Sequence, residues 1–371
     1  DITVLGYGDE VTSLWANSPF KTEVFIPEFQ KPIGSENPIW ALRVFTNLTI
    51  NVVRRAIRKN TFQKIEKRRF LERAASFEPD VVHAMDLPSL GDTTKVAKNA
   101  KAKLVYDSSE YWIGFSENPV WRSYGELAQD YVVEEKKNIS KADLICTTSP
   151  TMSRTLEKVY DVHAFCCLYN APVTNGFVPE EKLSGDGLKL VFHGGIGPDR
   201  NLDGLFEAMS LLPEDVTLDI YGSFRPLYED TCLEHVKKLN LGKRITFHGK
   251  YDYGEMLYFL QDYDVGIYPA MAQDGNFDVT LPNKVFDCIC AGLALVVPDF
   301  ISMRELMDET KCGICVHTVD SEKIAGAILE LRNDKHRLNS YKKRSKEIAS
   351  DYSWEAQEEK LVKAYEDLVK S

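Results

Sequence analysis

The chain has 371 residues, 44% of them hydrophobic and 27% charged. That is a globular composition; it excludes a disordered chain, and the length fits two domains of roughly 150–200 residues better than one. A net charge of −11 argues against a nucleic-acid-binding surface spread over the whole molecule, and no apolar run approaches the ~18 residues of a membrane span.

The chain opens at Asp1 inside a strand-like run, Ile2 to Gly6, with no basic-then-apolar leader, so residues upstream of Asp1 are expected. A second strand is expected over 22–27. Residues 41–75 then carry ten basic side chains (Arg43, Arg54, Arg55, Arg58, Lys59, Lys64, Lys67, Arg68, Arg69, Arg73) against two acids, Glu66 and Glu72, a local charge of +8. Apolar positions recur among them at near-helical spacing. A solvated helix face explains such a run in most mixed-charge sequences. Here it is nearly single-signed in an acidic protein, which fits an anionic membrane surface.

From residue 81 onward, short β-branched runs alternate with amphipathic stretches. Strands are predicted over 81–86, 103–108, 144–149 and 164–169, then over 188–193, 216–221, 245–249, 265–269, 294–298 and 313–317. Helices are predicted over 201–212, 227–239, 253–262 and 282–291. Near-continuous apolar strands separated by helices indicate parallel sheets covered on both faces, a doubly wound α/β protein. The Pro-, Asn- and Gly-bearing stretch 170–176 reads as an inter-domain connection. Residues 1–170 and 171–353 thus form two Rossmann-like domains. The last helix, 354–371, capped by Ser353, needs a surface to pack on and is expected to return to the first domain.

Eight cysteines, several in apolar runs (Cys146, Cys166, Cys167, Cys288), read as reduced small hydrophobes of a cytosolic protein. Cys312 and Cys315 have Cys-x-x-Cys spacing but lie in a strand and lack the second pair a zinc site requires.

In doubly wound folds ligands bind beyond the carboxyl ends of the strands. Two such positions stand out. In residues 281–298, Pro282 suits a first helical position, the first-turn amides form an anion site, Lys284 adds a positive charge, and Asp287 lies one turn on. A phosphate at the helix end with ribose hydroxyls on the carboxylate suits a nucleotide; a capped helix with a Lys–Asp pair is the plainer reading. In the turn Gly194-Gly195-Ile196-Gly197-Pro198-Asp199-Arg200, glycines admit close backbone approach and Arg200 can fork onto phosphate oxygens. Neither this turn nor Gly6-x-Gly8 carries the third glycine of a dinucleotide fingerprint.

The order of these segments resembles the retaining nucleotide-sugar glycosyltransferases of GT-B fold, a large family that includes cell-envelope polysaccharide and glycolipid enzymes. The likeness runs through Asp80-Val-Val-His83-Ala-Met-Asp86, Lys103-Leu-Val-Tyr-Asp107-Ser-Ser109-Glu110, Tyr169-Asn170-Ala-Pro172, the His193-Gly-Gly turn, Gly249-Lys250, and Leu281-Pro-Asn-Lys-Val-Phe-Asp287 with Ala291-Gly292. It implies that the second half holds the donor. Arg200 and Lys284 would neutralise the diphosphate leaving group as the catalytic pair. Asn283, Val285 and Asp287 would complete the nucleotide site, Asp287 on the ribose. Lys250 would frame the base, and the sugar would lie over Gly194 and Gly195. His83, Asp107, Ser109 and Glu110 would face the acceptor side. Where the family has two acids, an Arg and a His, this chain has Val279 with Asp287, Gly195 and Ser109. One βα unit, ~30 residues, is expected ahead of Asp1.

The resemblance implies a hexosyltransferase taking a nucleotide-diphosphate sugar, a UDP-sugar ahead of a GDP-sugar, with no cofactor and no metal. Asp262-Tyr263-Asp264 is read as a capped helix–strand junction. The acceptor would be lipid-linked or a glycan, with the chain peripheral on the inner face of the cell membrane through residues 41–75. Two rivals remain: a non-catalytic GT-B subunit serving a partner glycosyltransferase, and a GT-B nucleotide-sugar epimerase.

Overall fold

The computed structural model describes residues 3–7, 21–25, 68–69, 71–116, 126–225 and 228–371. Most of the basic window 41–75 lies outside them. Two compact units are present, one of Asp1–Val82 with Asp92–Leu104, the other of His83–Gly91 with Val105–Ser371. In the first, β1 (Thr3–Tyr7) and β2 (Lys21–Phe25) pair in parallel, with Thr3 opposite Lys21.

To the second unit belongs most of a four-stranded sheet, ordered β3-β4-β5-β6 (Val81–Met85, Lys103–Ser108, Leu144–Thr147, Phe165–Cys167). The unit also holds a six-stranded sheet, ordered β12-β11-β10-β7-β8-β9. Its strands are β7 (Leu188–His193), β8 (Val216–Tyr221), β9 (Ile245–Gly249), β10 (Val265–Ile267), β11 (Ala294–Pro298) and β12 (Gly313–Val316). Every pairing in the larger sheet is parallel. The parallel α/β architecture expected from the alternation is therefore present. All five residues of β11 are buried, and so are five of six in β7, because helices cover both faces. Phe192, Phe206 and Phe286 are fully buried in this core, each contributing about 1.5–3 kcal/mol.

Several predicted strands end one or two residues early because their last residues do local work. Asp86, with φ of 61°, leaves β3, accepts from the Leu87 amide at 3.0 Å and from Trp112 Nε1 at 2.9 Å, and so starts the helix Leu87–Ala100. Pro282 sits one place earlier than predicted. It is the extended N-cap residue, and the helix runs Asn283–Cys290. The cap at Ser353 is as expected: its hydroxyl accepts from the Ala356 amide, and the helix Trp354–Lys370 follows. This helix packs on β6, and the Tyr365 hydroxyl pairs with His83 Nδ1. All eight cysteines are free, with Cys312 fully buried and Cys315 within β12.

The Asp262-Tyr263-Asp264 junction is held by lysines. Asp262 is exposed and pairs with Lys182 at 2.6 Å. Asp264 accepts from Ser184 Oγ at 2.6 Å, Lys342 Nζ at 3.0 Å and the Lys189 amide at 3.0 Å. Burial raises the Asp264 carboxyl, but these three donors outweigh it and leave it below its ordinary value. Stability from this group is thus present above the unfolded carboxyl range and lost as pH falls through the lowered folded value. Asp264→Ala, which strands Lys342 in a buried site, should cost about 3–5 kcal/mol in urea denaturation. Asp264→Asn, which keeps an acceptor for Ser184, should cost less; equal losses would mean that charge contributes nothing here.

Candidate functional site

The carboxyl ends of β4, β7, β8 and β10 open onto a cleft of about 440 Å³. Its walls include Ser109 and Glu110 after β4, Arg200 after β7, Arg225 after β8, Tyr268 after β10, and Asn276, Asn283 and Lys284 from the segment before β11.

Lys284 is placed by the amphipathic character of its own helix. Val285, Phe286, Cys288, Ile289 and Cys290 are all buried, which turns Asn283 and Lys284 outward at the first turn. The Lys284 stem lies against Gly194, where an added Cβ would come within 2.3 Å of Cε, and the ammonium is 6.0 Å from the Tyr268 ring centre. Gly194 has φ of +106°, and Gly222, at +144°, would place a Cβ 1.8 Å from the Gly194 oxygen. Gly194, in a conformation L side chains avoid, thus makes room for the lysine, and Gly222 makes room for the Gly194 backbone. Burial, then the charge of Arg200, pulls the Lys284 ammonium down to about 8 against the opposing pull of Asp287 and Asp199.

Arg200 follows the short turn Pro198–Arg200. Its Nη1 donates to the Tyr268 hydroxyl at 3.2 Å and lies 3.3 Å from Asp199 Oδ2, while Nε has no hydrogen-bond partner among the described residues. Asp199 is shared with Arg225, whose Nη1 is 3.0 Å from Oδ1. Three cations thus meet at one wall. Arg225 was not singled out from sequence; its signal was the one that found Arg200, a basic residue shortly after a strand and a glycine. In the first helical turn the Lys284 amide is taken by Asn283 Oδ1 at 3.1 Å and that of Val285 by the Pro282 oxygen at 3.2 Å. An anion placed at this wall would therefore meet side-chain cations and the helix dipole more than open amides.

Some predicted site residues stand elsewhere. Asp287 is 1% exposed; Oδ2 bonds His193 Nε2 at 3.0 Å and Oδ1 is buried with no hydrogen-bond partner among the described residues, so neither oxygen reaches the cleft. The Val285 side chain is in the core and Lys250 is exposed outside the cleft wall. At Gly195 a side chain would meet open space. His83 and Asp107 face each other (Nε2 to Oδ2 3.6 Å) beside Tyr365 and do not line the cleft, whereas Ser109 and Glu110 do. Glu110 and Asn276 are hydrogen-bonded across it, and Tyr111 N donates to Asn276 Oδ1 at 2.7 Å. Among the described residues, no group of three or more His, Cys, Asp or Glu side chains could hold a metal ion, and no helix is long and apolar enough to cross a membrane.

Residues 177–348 match the family model of glycosyl transferases group 1. The structure superposes on HepE from Anabaena, solved in complex with UDP, with a TM-score of 0.72 at 14% identity, covering 98% of this chain and 92% of that one. It also superposes on sucrose-phosphate synthase from Thermosynechococcus elongatus (TM-score 0.69, 14% identity, 99% of each chain). A third likeness is to a glycosyltransferase from Rickettsia africae (0.70, 12%, covering 100% and 90%). No curated protein matches the sequence. At these identities the structural likeness is one of fold, and that fold is GT-B. The family match makes residues 177–348 a glycosyl transferase group 1 domain.

The depressed Lys284 has a readable consequence. Between about 8 and the ordinary lysine value the unfolded chain binds the proton that the folded chain has released, so stability should rise with pH across that window. Urea denaturation of Lys284→Met at pH 7 and pH 10 should show the variant's advantage over wild type shrinking at the higher pH; a constant difference would mean the lysine titrates normally. Gly194→Ala should displace Lys284 and remove anion binding while the chain stays folded, read by circular dichroism alongside pyrophosphate titration.

Proposed function

We propose that the chain transfers a hexosyl group from a UDP-sugar to a lipid-linked or glycan acceptor, with retention at the anomeric carbon and without a metal ion. The observation that carries this reading is the convergence of Arg200, Lys284 and the N-terminus of the helix Asn283–Cys290 on one cleft wall. A diphosphate placed there meets two fixed cations and a helix dipole, and as the glycosidic bond stretches the charge gained by the leaving oxygen falls on them. Lys284, which among the described residues has no ion pair with a carboxylate, is available to such a ligand, and binding a dianion favours its protonated form. Departure and attack on the same face let the leaving phosphate take the acceptor's proton, which gives retention. A fold relative supports the donor: HepE was solved with UDP, with UDP and glucose, and with UDP-glucose.

For the acceptor, the support is the basic window. Ten cations over residues 41–75, each worth roughly 1 kcal/mol near an anionic surface, would hold the chain to the inner face of a membrane where a lipid-linked acceptor resides. Vesicle co-sedimentation should then require anionic lipid, weaken with salt, and fall sharply when Arg54, Arg55, Arg58 and Lys59 become Glu. Equal binding to neutral vesicles would remove the membrane. The partner-subunit reading draws support from Val279, buried where the family has an acid, and from likeness to a GtfA/B complex chain (TM-score 0.63). Release of UDP only when acceptor is present selects transfer over that reading and over epimerisation.

A thermal-shift panel of UDP, GDP and ADP tests the donor. UDP at ~100 times its Kd should stabilise the fold by about 2.7 kcal/mol, and Lys284→Ala or Arg200→Ala should lose most of the effect. Wild-type affinity should fall as pH rises through about 8, where Lys284 loses its charge; Lys284→Arg should flatten that decline. Turnover should survive EDTA. Undiminished UDP shifts in both alanine variants would place the nucleotide elsewhere.

A further inference from the structure

Glu110 is the cleft residue that a diphosphate site does not explain, since a carboxylate repels phosphate. It lines the same cleft as Arg200 and Lys284, yet forms no ion pair with either. Its Oε2 accepts a hydrogen bond from Asn276 Nδ2. Asn276 is itself fixed: 6% exposed, its Oδ1 taken by the Tyr111 amide at 2.7 Å and its own amide donating to Asp274 Oδ1 at 2.9 Å. Among the described residues Oε1 has no hydrogen-bond partner. Burial, helped by the charges of Asp86 and Asp274, holds the Glu110 carboxyl above its ordinary value, against the opposing pull of the Asn276 hydrogen bond and of Arg200. A pre-positioned acceptor oxygen is thus held open toward the cleft, close enough to Arg200 to feel its charge. Asn276 stands seven residues before Asn283, on the segment that leads into the anion-binding helix.

The group bonded directly beyond a diphosphate held at Arg200 and Lys284 is the transferred sugar, which is uncharged and presents hydroxyl donors. We propose that Glu110, oriented by Asn276, accepts a hydrogen bond from a hydroxyl of the donor's hexosyl group and so sets which sugar the chain transfers. This rests on the function proposed above. A site built to bond a hydroxyl discriminates strongly against a sugar lacking it, because the acceptor is then left unpaired. A hydrogen bond to a charged group is worth about 1.5–3 kcal/mol, or roughly 10- to 100-fold in affinity.

The test is calorimetric titration of wild type, Glu110→Gln and Glu110→Asp with UDP and with UDP-glucose, UDP-galactose and UDP-N-acetylglucosamine. UDP should bind all three proteins within about twofold, because it makes no contact with Glu110. The sugar nucleotide that wild type prefers should weaken roughly 10- to 100-fold in both variants. Against deoxy analogues of that sugar, one position should cost wild type affinity but cost Glu110→Gln nothing further, which identifies the hydroxyl. Equal weakening of UDP and UDP-sugars, or weakening of neither, overturns the assignment while leaving the transferase reading intact. If no nucleoside diphosphate binds wild type, the transferase reading fails and this assignment with it.

Discussion

Desolvating two like charges side by side is the constraint around which the second half of this chain is arranged. Lys284 and Arg200 share a wall that keeps the ammonium largely dry, and each raises the cost of the other's charge. The structure offsets that cost without neutralising it. Asp199 pairs with Arg200 and Arg225, the Tyr268 hydroxyl accepts from Arg200 while its ring faces the ammonium, and among the described residues Lys284 itself has no carboxylate at contact distance. The glycines at 194 and 222 follow from the same constraint: a side chain at 194 would meet Lys284, and one at 222 would collide with the Gly194 backbone. A folded chain with an unmet demand for negative charge is pre-organised for an anionic ligand, since the reorganisation has been completed during folding.

Away from the cleft, charge is treated in the opposite manner. Glu135 is fully buried, but both of its oxygens are met, by Tyr106 at 2.8 Å and Tyr160 at 2.6 Å, which ties its helix, Glu126–Asn138, to β4 and to the helix Pro150–Tyr160. Asp264 is likewise saturated by three donors. Among the described residues, the difference between these satisfied groups and the unpartnered Arg200 Nε and Asp287 Oδ1 separates structural burial from burial that leaves a polar atom unmet.

Sequence legibility followed the range of the forces involved. The strands of the six-stranded sheet were readable because a parallel strand covered on both faces is apolar at nearly every position, as in β11. Arg200 and Lys284 were readable because strand ends and helix starts confine side chains locally. Asp287 was misplaced for a complementary reason: spacing puts it one turn from Lys284, but only the packed structure shows that His193, 94 residues earlier, turns its carboxylate inward. The hydrogen bond between Glu110 and Asn276 joins residues 166 apart and has no local signal at all. Asp86 belonged to a strand by pattern and became a cap because its backbone adopts a left-handed conformation. Pro282 moved by one position, the ordinary uncertainty of a helix boundary.

The aromatic contacts beneath the cleft have a mechanical meaning. Tyr169 stacks on Phe286 at 4.7 Å and on Tyr352 at 5.5 Å, and these three rings sit where the chain passes between its two larger sheets, once after β6 and once before the last helix. The two passages are cross-braced: the Trp354 amide donates to the Pro172 oxygen at 2.8 Å, and Glu355 Oε1 receives the amides of Thr174 and Asn175 at 3.0 and 2.9 Å. Two passages braced to each other are restrained as one, so loosening either disturbs the ring stack that both share. Phe286 belongs to the same helix as Lys284, so the cationic wall is anchored to that braced crossing.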